Sequence, residues 1–246
     1  GFKAPGGPFT APWPDFVISI GRLTTPYMRA MRGHAGFATY RIILQDPKVS
    51  LKTADLFWMP EHDRRRGPNI VTTLTAPHSF SARRIAELRR AMPPQIAALP
   101  GPRVAVLLGG PHGTFRYTPQ ALSELVGALT SLGGLGCGLM ITPSRRTPQD
   151  FAAALETATR HLPRIFWDFS GDNPYPQFLA HADAFIVPGD SVNMTGEPGA
   201  TGKPIYVFSP GGGGSAKFTR FHDAMRRAGV TRPMPARFER LDDGDE

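Results

Sequence analysis

Glu197 is the one carboxylate between Asp190 and Asp223, and it lies in a run of small polar residues that includes Ser191, Asn193 and Thr195, with Met194 among them. A carboxylate can accept both hydroxyls of a sugar diol, and neighbouring hydroxyl and amide groups can fix the ligand's orientation. Two other stretches offer anion chemistry. Residues 104–108 form an apolar run leading straight into Gly109-Gly110-Pro111-His112-Gly113. Glycines there let the backbone approach a pyrophosphate, the amides of such a turn make an anion-binding concavity, and His112 can donate to a phosphate. Further on, Thr142-Pro143-Ser144-Arg145-Arg146-Thr147 follows another apolar run. Ser144 and Thr147 suit helix caps there, while the arginines can meet a diphosphate bidentately. Each stretch also has a bland reading: a tight strand-to-helix turn, a pair of caps, or a first-turn acid complementing a helix dipole.

Proton transfer needs a base facing an acceptor hydroxyl. Asp46, His62 and His78 are the candidates, because each follows an apolar run in the first part of the chain; a surface or capping role competes for all three. Several familiar motifs fail. Gly202-Lys203 imitates a phosphate-binding loop, but Pro204 follows and Glu197 stands where that spacing needs glycine. Gly134, Gly136 and Gly138 imitate a dinucleotide fingerprint but precede their strand. Neither this fingerprint nor a Tyr-x-x-x-Lys pair is correctly placed, which disfavours an epimerase or dehydrogenase. No Cys/His spacing suits zinc, and the one D-x-D, Asp243 and Asp245, lies in an acidic tail expected to be disordered. The expectation is therefore no metal and no cofactor.

The elements that must position these residues follow from periodicity. Apolar runs at 15–21, 40–44, 55–59, 103–108, 139–142, 165–167, 183–187 and 204–208 read as strands, with 69–74 as an edge element. The first of these, DFVISIG, reads as buried. Helical spacing appears between them, at 24–32, 119–132, 147–161, 174–181 and 216–228. Such alternation predicts parallel sheets with right-handed crossovers. Residues 81–99 are helical in spacing but broken at Pro93-Pro94, which suggests a hinge and a division into lobes 1–98 and 99–246. Gly211 to Gly214 reads as a flexible loop able to close over a ligand, or as a mobile linker.

The chain has 246 residues, one cysteine and a net charge of +8. Cys137 permits no internal disulfide, which fits a reducing compartment. The positive balance favours anionic partners, either phosphates or the face of an acidic membrane. Aromatics do not interleave with the basic residues as single-strand nucleic-acid binders require.

The order Asp183, Asp190-Ser191-Val192, Met194, Glu197, Ala200-Thr201-Gly202-Lys203-Pro204 and an apolar run resembles the ELM1 family, named for a plant mitochondrial fission factor. The motifs PWPDFVISIGR, ILQDP, PEHD and GPNIVTTLTAPH follow one another as in that family. More distantly the chain is similar to GT-B glycosyltransferases of the MurG type. The resemblance implies an α/β fold of two Rossmann-like lobes, the N-terminal one lacking a strand and helix that family members usually carry. It implies an NDP-sugar, with UDP-sugar favoured, in the cleft between lobes, and metal-independent glycosyl transfer to an acceptor. Glu197 then binds the ribose, while Gly109, Gly110, His112, Gly113, Ser144, Arg145, Ser191, Met194 and Thr195 complete the site. Pro198 and Gly199 depart from the small residues usual after this Glu. The alternative is a non-catalytic adaptor, which in plant members recruits a dynamin-type GTPase. Either way the expected location is cytoplasmic, with peripheral contact at an anionic inner membrane and no nucleic acid.

Overall fold

A strand whose side chains are apolar on both faces must be covered on both, and the second half of the chain supplies two such covers. The computed structural model describes residues 10–36 and 38–241, so the acidic tail expected to be disordered lies mostly outside the described residues. The chain divides into two compact units, Gly1–Pro77 and His78–Glu246.

The first unit contains β1 (Phe16–Ile20), α1 (Thr25–Ala35), β2 (Tyr40–Leu44), β3 (Leu56–Pro60) and β4 (Ile70–Thr73). Its sheet is parallel in the order β1-β2-β3-β4. Met28, Ile43, Ala54, Phe57 and Met59 form its core. The apolar run at β1 predicts a buried strand, and the structure corrects this: Phe16, Ile18 and Ile20 are 64%, 63% and 55% exposed. β1 is an edge strand, and the face carrying these three side chains has no covering layer among the described residues of its unit. Arg41 is buried instead, bonded through its guanidinium to Asp55 and to the carbonyls of Met28 and Thr53.

The second unit runs α2 (Ala82–Arg89), α3 (Pro94–Ala97), β5 (Arg103–Leu108), α4 (Pro119–Gly134), β6 (Gly138–Pro143), α5 (Gln149–Thr159), β7 (Arg164–Phe166), α6 (Tyr175–His181), β8 (Ala184–Pro188), α7 (Val192–Gly196), β9 (Ile205–Phe208), α8 (Ala216–Arg227) and β10 (Thr231–Pro233). All its strands are parallel, in the order β10-β9-β8-β5-β6-β7. Alternate residues of β5 serve opposite layers. Val104, Val106 and Leu108 pack with α4 and α5, whereas Ala105 and Leu107 pack with α2, α3 and α6. Ile85, Ile96 and Leu99, the helically spaced residues on either side of Pro93-Pro94, all enter this second layer. β10 is unexpected from sequence, because three residues ending in proline carry no strand pattern; it pairs only with β9, at the edge where proline is tolerated.

Strand order reverses direction between β5 and β8, which run side by side. In open parallel sheets that point, at the carboxyl ends of the strands, is where a crevice opens. The turns after β5, β6, β7 and β8 are thus brought to one rim.

Candidate functional site

The turns after β5 and β8 are fastened to each other by a single carboxylate. Asp190, only 2% exposed, accepts a hydrogen bond from the Gly110 amide at 3.0 Å and another from the Tyr117 hydroxyl at 2.9 Å. Burial first, and then the negative charge of Asp190, push the Tyr117 phenol well above its ordinary range, so it stays a donor. This clasp explains the glycines. A Cβ on Gly109 would lie 2.4 Å from Asp190 Oδ2, and one on Gly110 would lie 2.1 Å from the Arg146 carbonyl oxygen. Neither position tolerates a side chain. The close approach that these glycines permit is to the protein itself, and the Gly110 amide already has an anionic partner.

The turn after β6 is similarly knitted in. Ser144 donates through Oγ to the Gly109 carbonyl at 3.0 Å, and its amide donates to the Leu108 carbonyl at 3.0 Å and the Thr147 hydroxyl at 2.9 Å. Thr147 Oγ1 in turn donates to Gly109 O. Arg145 is left exposed by this turn. Past β8, Ser191 caps α7 by accepting from the Met194 amide at 3.3 Å. Thr195 is fully buried and returns its hydroxyl to the Ser191 carbonyl at 2.8 Å. These two hydroxyls hold the turn in shape.

What remains open is a cavity of about 520 Å³, lined by Thr142, Pro143, Ser144, Arg145, Trp167, Phe169, Gly171, Asn173, Tyr175 and Met194. It brings together three of the residues singled out from sequence: Ser144, Arg145 and Met194. It does not include Gly109, Gly110, His112 or Gly113. His112 is exposed beside Phe218, with ring centroids 5.6 Å apart. Sequence reasoning did not single out Trp167, Phe169, Asn173 and Tyr175. The signal for Trp167 and Phe169 was available in WDFSG, two aromatics leaving a strand into a polar turn. Their rings lie 4.7 Å apart at 45°. Asp168 accepts the Ser170 amide at 2.9 Å, and the Trp167 indole donates to the Ser170 carbonyl at 3.0 Å. Phe169 itself has φ 69°, a conformation uncommon for a side chain of this bulk, and its ring is exposed at the rim.

Glu197, half-buried just past α7, is held by the Tyr175 hydroxyl, which donates to its Oε2. Burial raises its carboxyl above the ordinary range, and the Tyr175 hydrogen bond and the nearby His78 only partly offset this. Phe80 packs on Tyr175 at 5.8 Å, with His78 at 6.5 Å from Phe80. Of the three candidate bases, His78 therefore lies near Glu197 in the second unit, while Asp46 and His62 belong to the first. His62 is buried after β3. Asp46 follows β2 and bonds Lys48 Nζ at 2.7 Å and Arg65 Nη1 at 3.0 Å. Burial opposes its charge, yet these bonds outweigh burial and hold the carboxyl below the usual range, an ion pair with little basicity.

The loop after β9 is also fixed. Arg116 N donates to Gly211 O at 3.1 Å, and Thr118 N donates to Pro210 O at 3.3 Å. Gly212 approaches so closely that a Cβ would lie 2.2 Å from the Thr114 carbonyl oxygen. The expected flexible closing loop is in fact packed against residues 114–118. Among the described residues there is no cluster of His, Cys, Asp and Glu able to hold a metal ion. Nor is any helix long and apolar enough to cross a membrane.

Comparison with known proteins agrees with this architecture. The family model described as Mitochondrial fission ELM1 matches residues 2–246. The mitochondrial fission protein ELM1 of Arabidopsis thaliana is 28% identical over 245 residues, 89% of this chain and 57% of that protein. A protein of Rickettsia prowazekii is 30% identical over 135 residues, 52% of this chain and 37% of its own length. Among solved structures, one described as a UDP-N-acetylglucosamine 2-epimerase from Listeria monocytogenes has a TM-score of 0.55 at 11% identity, over 91% of this chain and 63% of that one. At that identity the likeness is of fold, and the fold is GT-B-like: two parallel α/β units. This chain thus spans just over half of the Arabidopsis relative.

Proposed function

We propose a nucleotide-sugar-binding function from the premise that the chain belongs to the mitochondrial fission ELM1 family. The single observation that carries the reading is the cavity at the carboxyl edge of the second unit's sheet. One wall is aromatic, Trp167 and Phe169; another carries Arg145; a third carries Tyr175 backed by Glu197. An aromatic ring stacks on a base, a guanidinium meets a phosphate, and a hydroxyl–carboxylate pair reads a ribose. The volume of about 520 Å³ lies within the range of small-molecule sites. The proposed ligand is an NDP-sugar, UDP-sugar before others, and the proposed reaction is glycosyl transfer to an acceptor. The leaving diphosphate's charge falls to Arg145, since Asp190 already occupies the Gly110 amide.

The test is thermal. UDP, GDP and ADP, each with a corresponding sugar nucleotide, are added at millimolar concentration and the melting temperature is read. Binding to the folded state alone stabilises by about 2.7 kcal/mol at a hundredfold excess over Kd, a rise of several degrees. Glu197→Ala reduces the rise. No shift with any of the six compounds overturns the proposal.

A second reading has its own support. The Gly110 amide already donates to Asp190 and is not open to a pyrophosphate, and the Arabidopsis relative is named for fission. Under that reading the fold serves as an adaptor surface, with a dynamin-type partner. Measured sugar-nucleotide turnover separates the two: binding with no hydrolysis or transfer supports the adaptor.

A further inference from the structure

Residue types alone point to Glu197 as the group that meets a ligand's hydroxyls, and the geometry redistributes that role. Tyr175 lines the cavity, whereas Glu197 is reached through the Tyr175 hydroxyl. Tyr175 opens α6, with its amide bonded to Asn173 Oδ1 at 3.0 Å and its ring against Phe80. These contacts fix the ring, and Glu197 fixes the hydroxyl: the phenol hydrogen is committed to Oε2, so the oxygen's lone pairs are what the group has left to offer. Burial first, and then the charge of Glu197, hold the phenol protonated far above neutral pH, so this polarity does not reverse. A phenol that donates to a carboxylate is a stronger acceptor at its oxygen than one donating to water, because such chains polarise one another.

We propose that Tyr175 Oη is the ligand-contacting acceptor of this cavity, taking a hydrogen bond from a ribose hydroxyl of a nucleotide, and that Glu197 is a positioning residue behind it. The inference rests on the nucleotide-binding reading and changes which residue touches the sugar. No proton is transferred: Glu197 orients the phenol, and the ribose hydroxyl donates.

Calorimetry with UDP and 2′,3′-dideoxy-UDP on the full chain tests this, with the wild type, Tyr175→Phe, Glu197→Gln and the double variant compared. The wild type prefers UDP by about fivefold to tenfold, roughly the worth of one hydrogen bond. Tyr175→Phe binds both nucleotides equally. Glu197→Gln keeps the preference to within about threefold, because the glutamine carbonyl still accepts the phenol hydrogen. The double variant behaves as Tyr175→Phe alone, the non-additivity expected of two groups acting as one unit. If Glu197→Gln abolishes the preference while Tyr175→Phe retains it, the carboxylate is the reader and the inference is overturned. A Tyr175→Phe protein with a lowered melting temperature but intact discrimination overturns it as well, since Tyr175 is then only structural. A wild type that binds neither nucleotide sinks the nucleotide-binding reading, and the inference with it. A wild type that binds both equally leaves that reading standing and sinks the inference alone.

Discussion

A carboxyl group that is half-buried holds its proton more tightly when folded than when unfolded, and Glu197 is such a group. Its stabilising proton is fully in place below the ordinary value of 4.5 and is lost as pH rises through the higher folded value. The wild type is therefore expected to lose stability relative to Glu197→Gln as pH climbs from about 4 towards neutrality. Urea denaturation of both proteins across that window checks it, and parallel curves mean that the carboxyl is not desolvated as described. The residue's chemistry was legible in sequence: a lone acid among hydroxyls stood out. Its partner did not, because Tyr175 is distant in sequence and belongs to a helix that periodicity recommends only for burying Phe178 and Leu179. A hydrogen bond between residues 22 positions apart leaves no local pattern to read.

At the scale of elements, the sheet was legible and its joints were not. Apolar runs in β5, β6, β8 and β9 report burial on both faces, whereas β2 and β3 bury one face and leave Tyr40 and Trp58 exposed on the other. β1 carries the same signal and misleads, because a run of residues cannot say whether a neighbouring layer exists. The glycines after β5 read as a phosphate seat for the same reason: glycine marks a close approach without naming what approaches. Here the approaching group is Asp190, which joins two turns that no local pattern connects. Asp190→Ala leaves the Gly110 amide and the Tyr117 hydroxyl without their acceptor, at a cost of roughly 2–4 kcal/mol for two desolvated donors. Tyr117→Phe leaves Asp190 Oδ1 without its donor while Oδ2 keeps the Gly110 amide, so it costs about 1–3 kcal/mol, less than the loss of the whole clasp. Equal losses for the two variants, measured by urea denaturation, would show that the clasp at Gly110 contributes nothing.

At the scale of the molecule, the division of labour is uneven. The second unit holds both layers of its own core, the reversal of strand order, the Asp190 clasp and every residue of the cavity proposed to bind ligand. The first unit has a smaller core and an edge strand that leaves Phe16, Ile18 and Ile20 exposed. An exposed apolar edge is a template for association with another chain. Residues 78–246 expressed alone are therefore expected to fold cooperatively, to stay monomeric at concentrations where the full chain associates, and to retain the UDP-induced rise in melting temperature. The three parts of that expectation can fail separately, and a fragment that associates as the full chain does shows that the exposed strand of the first unit is not the cause. A fragment that unfolds without a transition shows that the core of the second unit depends on residues 1–77. A fragment that folds but no longer responds to UDP shows that the ligand needs groups from the first unit, with Asp46 and His62 the first to substitute in the full chain.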